Sequence, residues 1–130
     1  MIIRSRILNN YQFTAQNVKG KWFYQGSTIN SGTFIPFQQP CASIKSYRDF
    51  LENGNVDVVS YDANCEITSS LTTFWNLNNN NLTLITENEN QFIVSIVYQI
   101  TYLTDTEMQL KQTVVNPDNT IVYLYYYSRF

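Results

Sequence analysis

The sequence contains no histidine, which removes the usual general base of Ser and Cys triads and the commonest zinc ligand. Charged residues make up only 14% of its 130 positions, against roughly 25% in an average soluble domain, and sixteen asparagines supply much of the polarity instead. Eight Lys plus Arg against ten Asp plus Glu leave a net charge of −2, with none of the basic excess that a phosphate backbone requires, so nucleic acid is not an expected partner. No apolar run approaches the roughly 20 residues of a spanning helix. The longest runs from Ile121 to Tyr127 and is rich in Tyr, so no transmembrane segment is expected. Met1 to Leu8 carries charge but lacks the apolar stretch and small-residue cleavage site of a secretory signal. Either the chain stays inside the cell, or Met1 precedes a mature domain whose export signal has been removed.

Alanine, the best helix former, occurs three times, whereas Val, Ile and Thr total 34 and the aromatics 20, a balance that favours sheet over helix. With 44% hydrophobic residues the chain can build one sizeable core, and disorder is not expected. Two cysteines, Cys41 and Cys65, are present. Between them, segments 47–51 and 55–59 flank an Asn-Gly turn signal and read as a hairpin. If Glu52-Asn53-Gly54 is a three-residue loop with Gly54 left-handed, facing residues have numbers summing to 106, as Cys41 and Cys65 do. A disulfide there is geometrically reasonable, would contribute about 3 kcal/mol, and implies an oxidising compartment. The alternative is two reduced cysteines packed as small apolar residues.

Further along, Phe92, Val94, Ile96, Tyr98, Ile100 and Tyr102 alternate with a second set of side chains, and Met108, Leu110 and Val114 do the same. A turn at Asn116-Pro117-Asp118-Asn119 pairs Val114 with Ile121, Gln112 with Tyr123, Leu110 with Tyr125 and Met108 with Tyr127. A four-residue loop at 78–81 pairs Leu77 with Leu82 and Trp75 with Leu84. The predicted strands are 21–29, 43–51, 55–63, 69–77, 82–86, 91–102, 106–115 and 120–129, eight in all. So many strands joined by short turns, with few charged edges, point to an all-β, eight-stranded up-and-down antiparallel β-barrel, with a two-sheet sandwich as the alternative. Residues 1–19 read as a tail or short helix and 20–130 as the barrel domain; no repeat is visible.

If the barrel closes, its last strand lies beside its first, and Gly20-Lys21-Trp22 meets Arg129 at one end, where the guanidinium can lie on the indole as a structural contact. A Gly-x-Trp on the first strand with an Arg brought to it by the last resembles the lipocalins. More specifically, 18–24, 47–59, 74–84, 100–110 and 125–129 resemble successive strands of the small lipocalin-like domains of exported Bacteroidota proteins, over about residues 18–130. That resemblance implies a periplasmic or outer-membrane-associated protein, in some members a lipoprotein, that commonly carries a Cys pair. No lipid-bearing Cys is visible near the N-terminus.

An eight-stranded barrel either fills with its own side chains or holds one small ligand. The predicted interior includes Trp22, Tyr24, Phe50, Val56, Val58, Trp75, Leu77, Leu84, Phe92, Val94, Ile96, Tyr98, Met108, Leu110, Tyr123, Tyr125 and Tyr127, large enough together to leave a small cavity at most. Loops 30–42, 62–69, 87–90 and 116–119 should gather at the end opposite Trp22. The longest, Asn30 to Cys41, carries Phe34, Ile35 and Phe37, and is either an apolar lid over a ligand or a loop whose rings finish the core. Arg48 shares a face with Phe50, and would either meet a carboxylate such as that of a fatty acid or snorkel to the rim. The hydroxyls of Tyr123, Tyr125 and Tyr127 would bond either a ligand or protein and water.

The leading expectation is non-catalytic binding or transport of a small apolar or amphipathic molecule by Tyr24, Phe34, Phe37, Arg48, Phe50, Val58, Trp75, Phe92, Ile96, Tyr98, Met108, Tyr123 and Tyr125, with no metal and no cofactor. A second is a structural or protein-interaction module with a packed barrel, touching its partner through outward residues such as Val122, Leu124 and Tyr126. A third is carbohydrate binding by coplanar exposed rings. Catalysis is the least supported, because no Asp or Glu pair falls on the inner face.

Overall fold

The computed structural model describes residues 13–87 and 93–130. A single helical turn, α1 (Ala15–Val18), leads into strands β1 (Gly20–Ile29), β2 (Ile35–Pro36), β3 (Tyr47–Phe50), β4 (Asn55–Tyr61), β5 (Ile67–Asn78), β6 (Asn81–Glu87), β7 (Ile93–Leu103), β8 (Glu107–Val115) and β9 (Thr120–Ser128). Every pairing is antiparallel, and β1 pairs with β9. Strands β1 and β3 to β9 thus close an eight-stranded up-and-down barrel, with the two-residue β2 added to one edge of β1. No described helix is long and apolar enough to cross a membrane.

The hairpin registers follow from their turns. β3 and β4 pair Arg48 with Val58 and Phe50 with Val56 around the loop 52–54, where Gly54 has φ +90°. β8 and β9 pair as expected from Val114↔Ile121 to Met108↔Tyr127. β5 and β6 pair Trp75 with Leu84 and Leu77 with Leu82, but Asn78 and Asn81 also face each other. The turn is therefore the two residues Asn79-Asn80, shorter than predicted, and Asn79 takes the left-handed conformation at φ 55° that Asn tolerates.

Three departures from strict alternation shape the interior. The predicted strand 43–51 is a strand only from Tyr47 to Phe50. Before it, backbone groups are taken by side chains instead of a ladder: Ile44 N–H points to Cys41 Sγ at 3.2 Å, Ser46 N–H to Gln39 Oε1 at 2.9 Å, and Tyr61 N–H to Ser46 Oγ at 3.1 Å. Cys41 and Cys65 do form a disulfide, with Cα atoms 5.0 Å apart, yet it clasps a loop to the 62–66 turn and does not cap a ladder. In β7 a bulge between Ile100 and Tyr102 turns Leu103 into the core in place of Tyr102. In β1 a bulge after Tyr24 turns Gly26 outward, at φ +147°, where a Cβ would collide with the Ile35 carbonyl oxygen and the Phe34 ring. Phe92 and residues 1–12 lie outside the described residues.

The half of the barrel near Trp22 is solid. Trp22, Phe50, Val56, Leu82, Ile100, Leu103, Met108 and Leu110 are fully buried there, each contributing about 1.5–3 kcal/mol, and Val18 of α1 closes the end. Trp22 Nε1–H donates to the Val18 carbonyl at 2.8 Å. The Arg129 guanidinium lies 3.7 Å from the Trp22 ring centroid and donates to the carbonyls of Asn17, at 3.1 Å, and Lys21, at 3.3 Å. Gly20, at φ +101°, makes room for it, since a Cβ there would stand 2.8 Å from Arg129 Nη1.

Arg129→Met should cost about 2 kcal/mol through the lost cation–π contact and hydrogen bonds, lowering the melting temperature by roughly 5–10 °C in thermal circular dichroism. A melting temperature unchanged within a degree would show that the Trp22 end is held by other contacts.

Candidate ligand-binding site

Because β3 is short, it pairs with β1 only from Gly20↔Phe50 to Trp22↔Arg48. Beyond Trp22 the chain that would have continued β3 has turned away, and β1 instead receives β2, through Gly26↔Pro36 and Ser27↔Ile35, together with the bond from Phe37 N–H to the Gln25 carbonyl. The wall is therefore split between β1–β2 and β3–β4. On the outside, Lys21 Nζ lies 4.4 Å from the Tyr47 ring and Lys45 Nζ 5.4 Å from the Phe23 ring, spanning the split with cation–π contacts. Inside, a cavity of about 390 Å³ opens on the Trp22 floor.

Six of the predicted binding residues line it: Tyr24, Phe37, Arg48, Val58, Tyr98 and Tyr125. Tyr24 is the hub of the aromatic wall, its ring centroid 5.1 Å from Phe37, 6.2 Å from Tyr125 and 5.4 Å from Tyr127. Tyr98 meets Tyr125 edge-on at 5.9 Å. The other predicted residues are elsewhere. Phe34 packs edge-on against Tyr126, 5.3 Å away, on the outside of the barrel, so it is not part of a lid; only Phe37 of that loop reaches the cavity. Phe50 and Met108 belong to the solid core beneath the floor. Trp75 meets Phe50 edge-on at 5.4 Å and donates from Nε1 to the Leu51 carbonyl, bracing the turn below. Ile96 packs on the core from β7, and Tyr123 stacks on Tyr125 at 5.9 Å without lining the cavity. Val94 is 44% exposed, because the barrel is unfilled at its far end.

Tyr127 also lines the cavity, and its inward parity was readable from the β8–β9 turn. Ser46, Tyr47, Val59 and Ser60 border it as well. Ser46 and Ser60 share the inward parity of Arg48 and Val58, whereas Tyr47 and Val59 have the opposite parity and border the cavity beside the split in the wall.

Electrostatically the site is simple. Arg48 is the one charged side chain of the lining, and its Nη1 is buried with no hydrogen-bond partner. Its guanidinium carbon lies 5.9 Å from the Tyr127 ring centroid. An unmet buried donor of this kind costs about 1–3 kcal/mol. Desolvation, reinforced by repulsion from Tyr98, Tyr24, Tyr123 and Tyr127, pushes Tyr125 up to about 12. Tyr127 is raised above the usual phenol range, chiefly by burial, although Arg48 pulls the other way. Tyr125 Oη donates to Gln112 Oε1 at 2.9 Å. Among the described residues no three His, Cys, Asp or Glu side chains are placed to hold a metal ion.

No family model and no curated protein matches the chain. Among solved structures, an uncharacterised protein from Bacteroides eggerthii superposes with a TM-score of 0.60 at 12% identity, over 86% of this chain and 98% of that one. At that identity the likeness extends to the fold alone.

Two outcomes follow from the buried charge and the phenols. Arg48→Met keeps the packed stem and removes the unmet donor, so it should raise stability by about 1 kcal/mol, a few degrees in melting temperature; a clear fall would mean that Arg48 holds the wall together. Because the folded state holds the Tyr125 proton up to about 12 while an unfolded tyrosine releases it near 10, stability should decline as pH rises between those values. Tyr125→Phe should flatten that decline in denaturant titrations.

Proposed function

We infer that the protein is a non-catalytic binder of a small amphipathic molecule, whose anionic group is held by Arg48 and whose apolar part lies among the rings of Tyr24, Phe37, Tyr98 and Tyr125. The observation that carries this reading is Arg48, the one charged side chain lining a cavity whose lining holds no acidic group, with its Nη1 buried and unpartnered among the described residues. Burying a guanidinium donor without a partner is unfavourable, and a carboxylate is the group whose geometry matches it. A pocket of about 390 Å³ lies within the range of small-molecule sites.

The reading accords with a lipocalin-like carrier. Its support is the closed eight-stranded barrel, Gly20-Lys21-Trp22 on the first strand and Arg129 stacked on Trp22. The Cys41–Cys65 disulfide favours an oxidising compartment, such as the periplasm or the outer-membrane surface. A second reading, an interaction module, draws on an outer face of β5 to β7 where Phe74 is 50%, Val97 55% and Ile93 72% exposed.

The two separate in one titration. An anionic fluorescent dye, anilinonaphthalene sulfonate, should bind saturably at one site, and Val58→Phe, which fills the cavity, should weaken binding at least tenfold while the fold is retained. Dye binding insensitive to Val58→Phe would move the site to the outer face and overturn the carrier reading.

A further inference from the structure

Resting on that reading, we propose that the natural occupant is a compact aromatic monocarboxylic acid that enters with its acid group first.

The orientation comes from the depth of the charge. Arg48 pairs across the sheet with Trp22 on one side and Val58 on the other, at the level of the Trp22 floor, and its guanidinium carbon lies 5.9 Å from the Tyr127 ring centroid. Beneath that level Trp22, Phe50, Val56 and Leu82 are fully buried and leave no channel. The acid must therefore occupy the deep end, with the rest of the molecule between Arg48 and the mouth. A long alkyl chain anchored in this way would find only Val58 and Val59 as aliphatic contacts in the lining.

The ring comes from the walls. Of the twelve lining residues, Trp22, Tyr24, Phe37, Tyr98, Tyr125 and Tyr127 turn aromatic rings toward the interior, the Tyr47 ring being met by Lys21 on the outside, and only Val58 and Val59 are aliphatic. Around Tyr24 the rings are tilted by 48–53° to one another, and Tyr98 stands at 80° to Tyr125, so they offer both edges and faces to a ring placed among them. The single charge comes from the absence of any second one. One guanidinium neutralises one carboxylate, whereas a dianion would leave a second negative charge beside phenols with no second cation in the lining. Planarity suits the arrangement too, since a carboxylate conjugated to a ring can meet the guanidinium fork in its own plane.

Isothermal titration of the oxidised protein with trans-cinnamate, cinnamamide, phenyl phosphate and palmitate tests each element. Cinnamate should bind one to one and at least tenfold tighter than any of the other three. In Arg48→Met, checked by a cooperative melt, the preference for the acid over its amide should vanish. Palmitate binding as tightly as cinnamate would overturn the compact-ring inference and leave the carrier reading standing. Phenyl phosphate binding as tightly as cinnamate would overturn the single charge, and equal affinity for the amide would overturn the role of Arg48. Failure of all four probes to bind, with dye binding also insensitive to Val58→Phe, would overturn the inference and the carrier reading together.

Discussion

One edge of β1 is paired with β9 along most of its length, while the other holds β3 for three positions before β3 leaves it. That short seam governs the molecule. Had β3 continued, the barrel wall would have been complete and the rings inside it would have met as a filled core. Ile44 N–H and Ser46 N–H bond to the side chains of Cys41 and Gln39, Tyr61 N–H bonds to Ser46 Oγ in place of a ladder partner, and the disulfide holds the diverted chain against the next turn. The cavity is the space this diversion leaves, roofed on one side by Phe37.

The barrel divides its labour by height. Below the seam, burial is complete, and Arg129, Trp22 and α1 seal the end with hydrogen bonds to main-chain carbonyls. Above it, the interior holds phenols and one guanidinium that the fold does not satisfy. A charged donor left without a partner is what stability alone would remove, so its presence on a residue of the cavity lining reads as a binding device, maintained at a cost to the unliganded protein. Burial raises the pKa of both Tyr125 and Tyr127, and Arg48 is the one charged side chain among the lining residues.

Much of this was legible from residue order. Turn residues pin register in antiparallel hairpins, so the Asn-Gly loop and the turns at 78–81 and 116–119 sufficed to place Arg48 opposite Val58, Trp75 opposite Leu84 and Tyr125 opposite Leu110. The position of Arg48 on the inner face followed from that arithmetic, whereas the approach of Arg129 to Trp22 followed from closure of the barrel. Alternation failed where a residue is inserted or a ladder is lost. The bulges in β1 and β7 reverse parity without a sequence signal stronger than Gly26, which is why Leu103 and not Tyr102 enters the core. Phe34 and Phe37 are three residues apart and equally apolar, yet the β2 pairing puts the first outside the barrel and the second at the cavity. Composition could not distinguish them, because the choice is made by the face of β2 on which each falls, three positions apart along an extended chain.

The central claim is that the seam exposes a guanidinium to a cavity where an acid can reach it. Nuclear magnetic resonance of the arginine side chains during addition of trans-cinnamate observes that group directly. The account expects the Arg48 guanidinium signals to shift saturably while those of Arg129, stacked on Trp22, stay in place. Unmoved Arg48 signals, with perturbations gathered instead on the outer residues Phe74 and Val97, would contradict it.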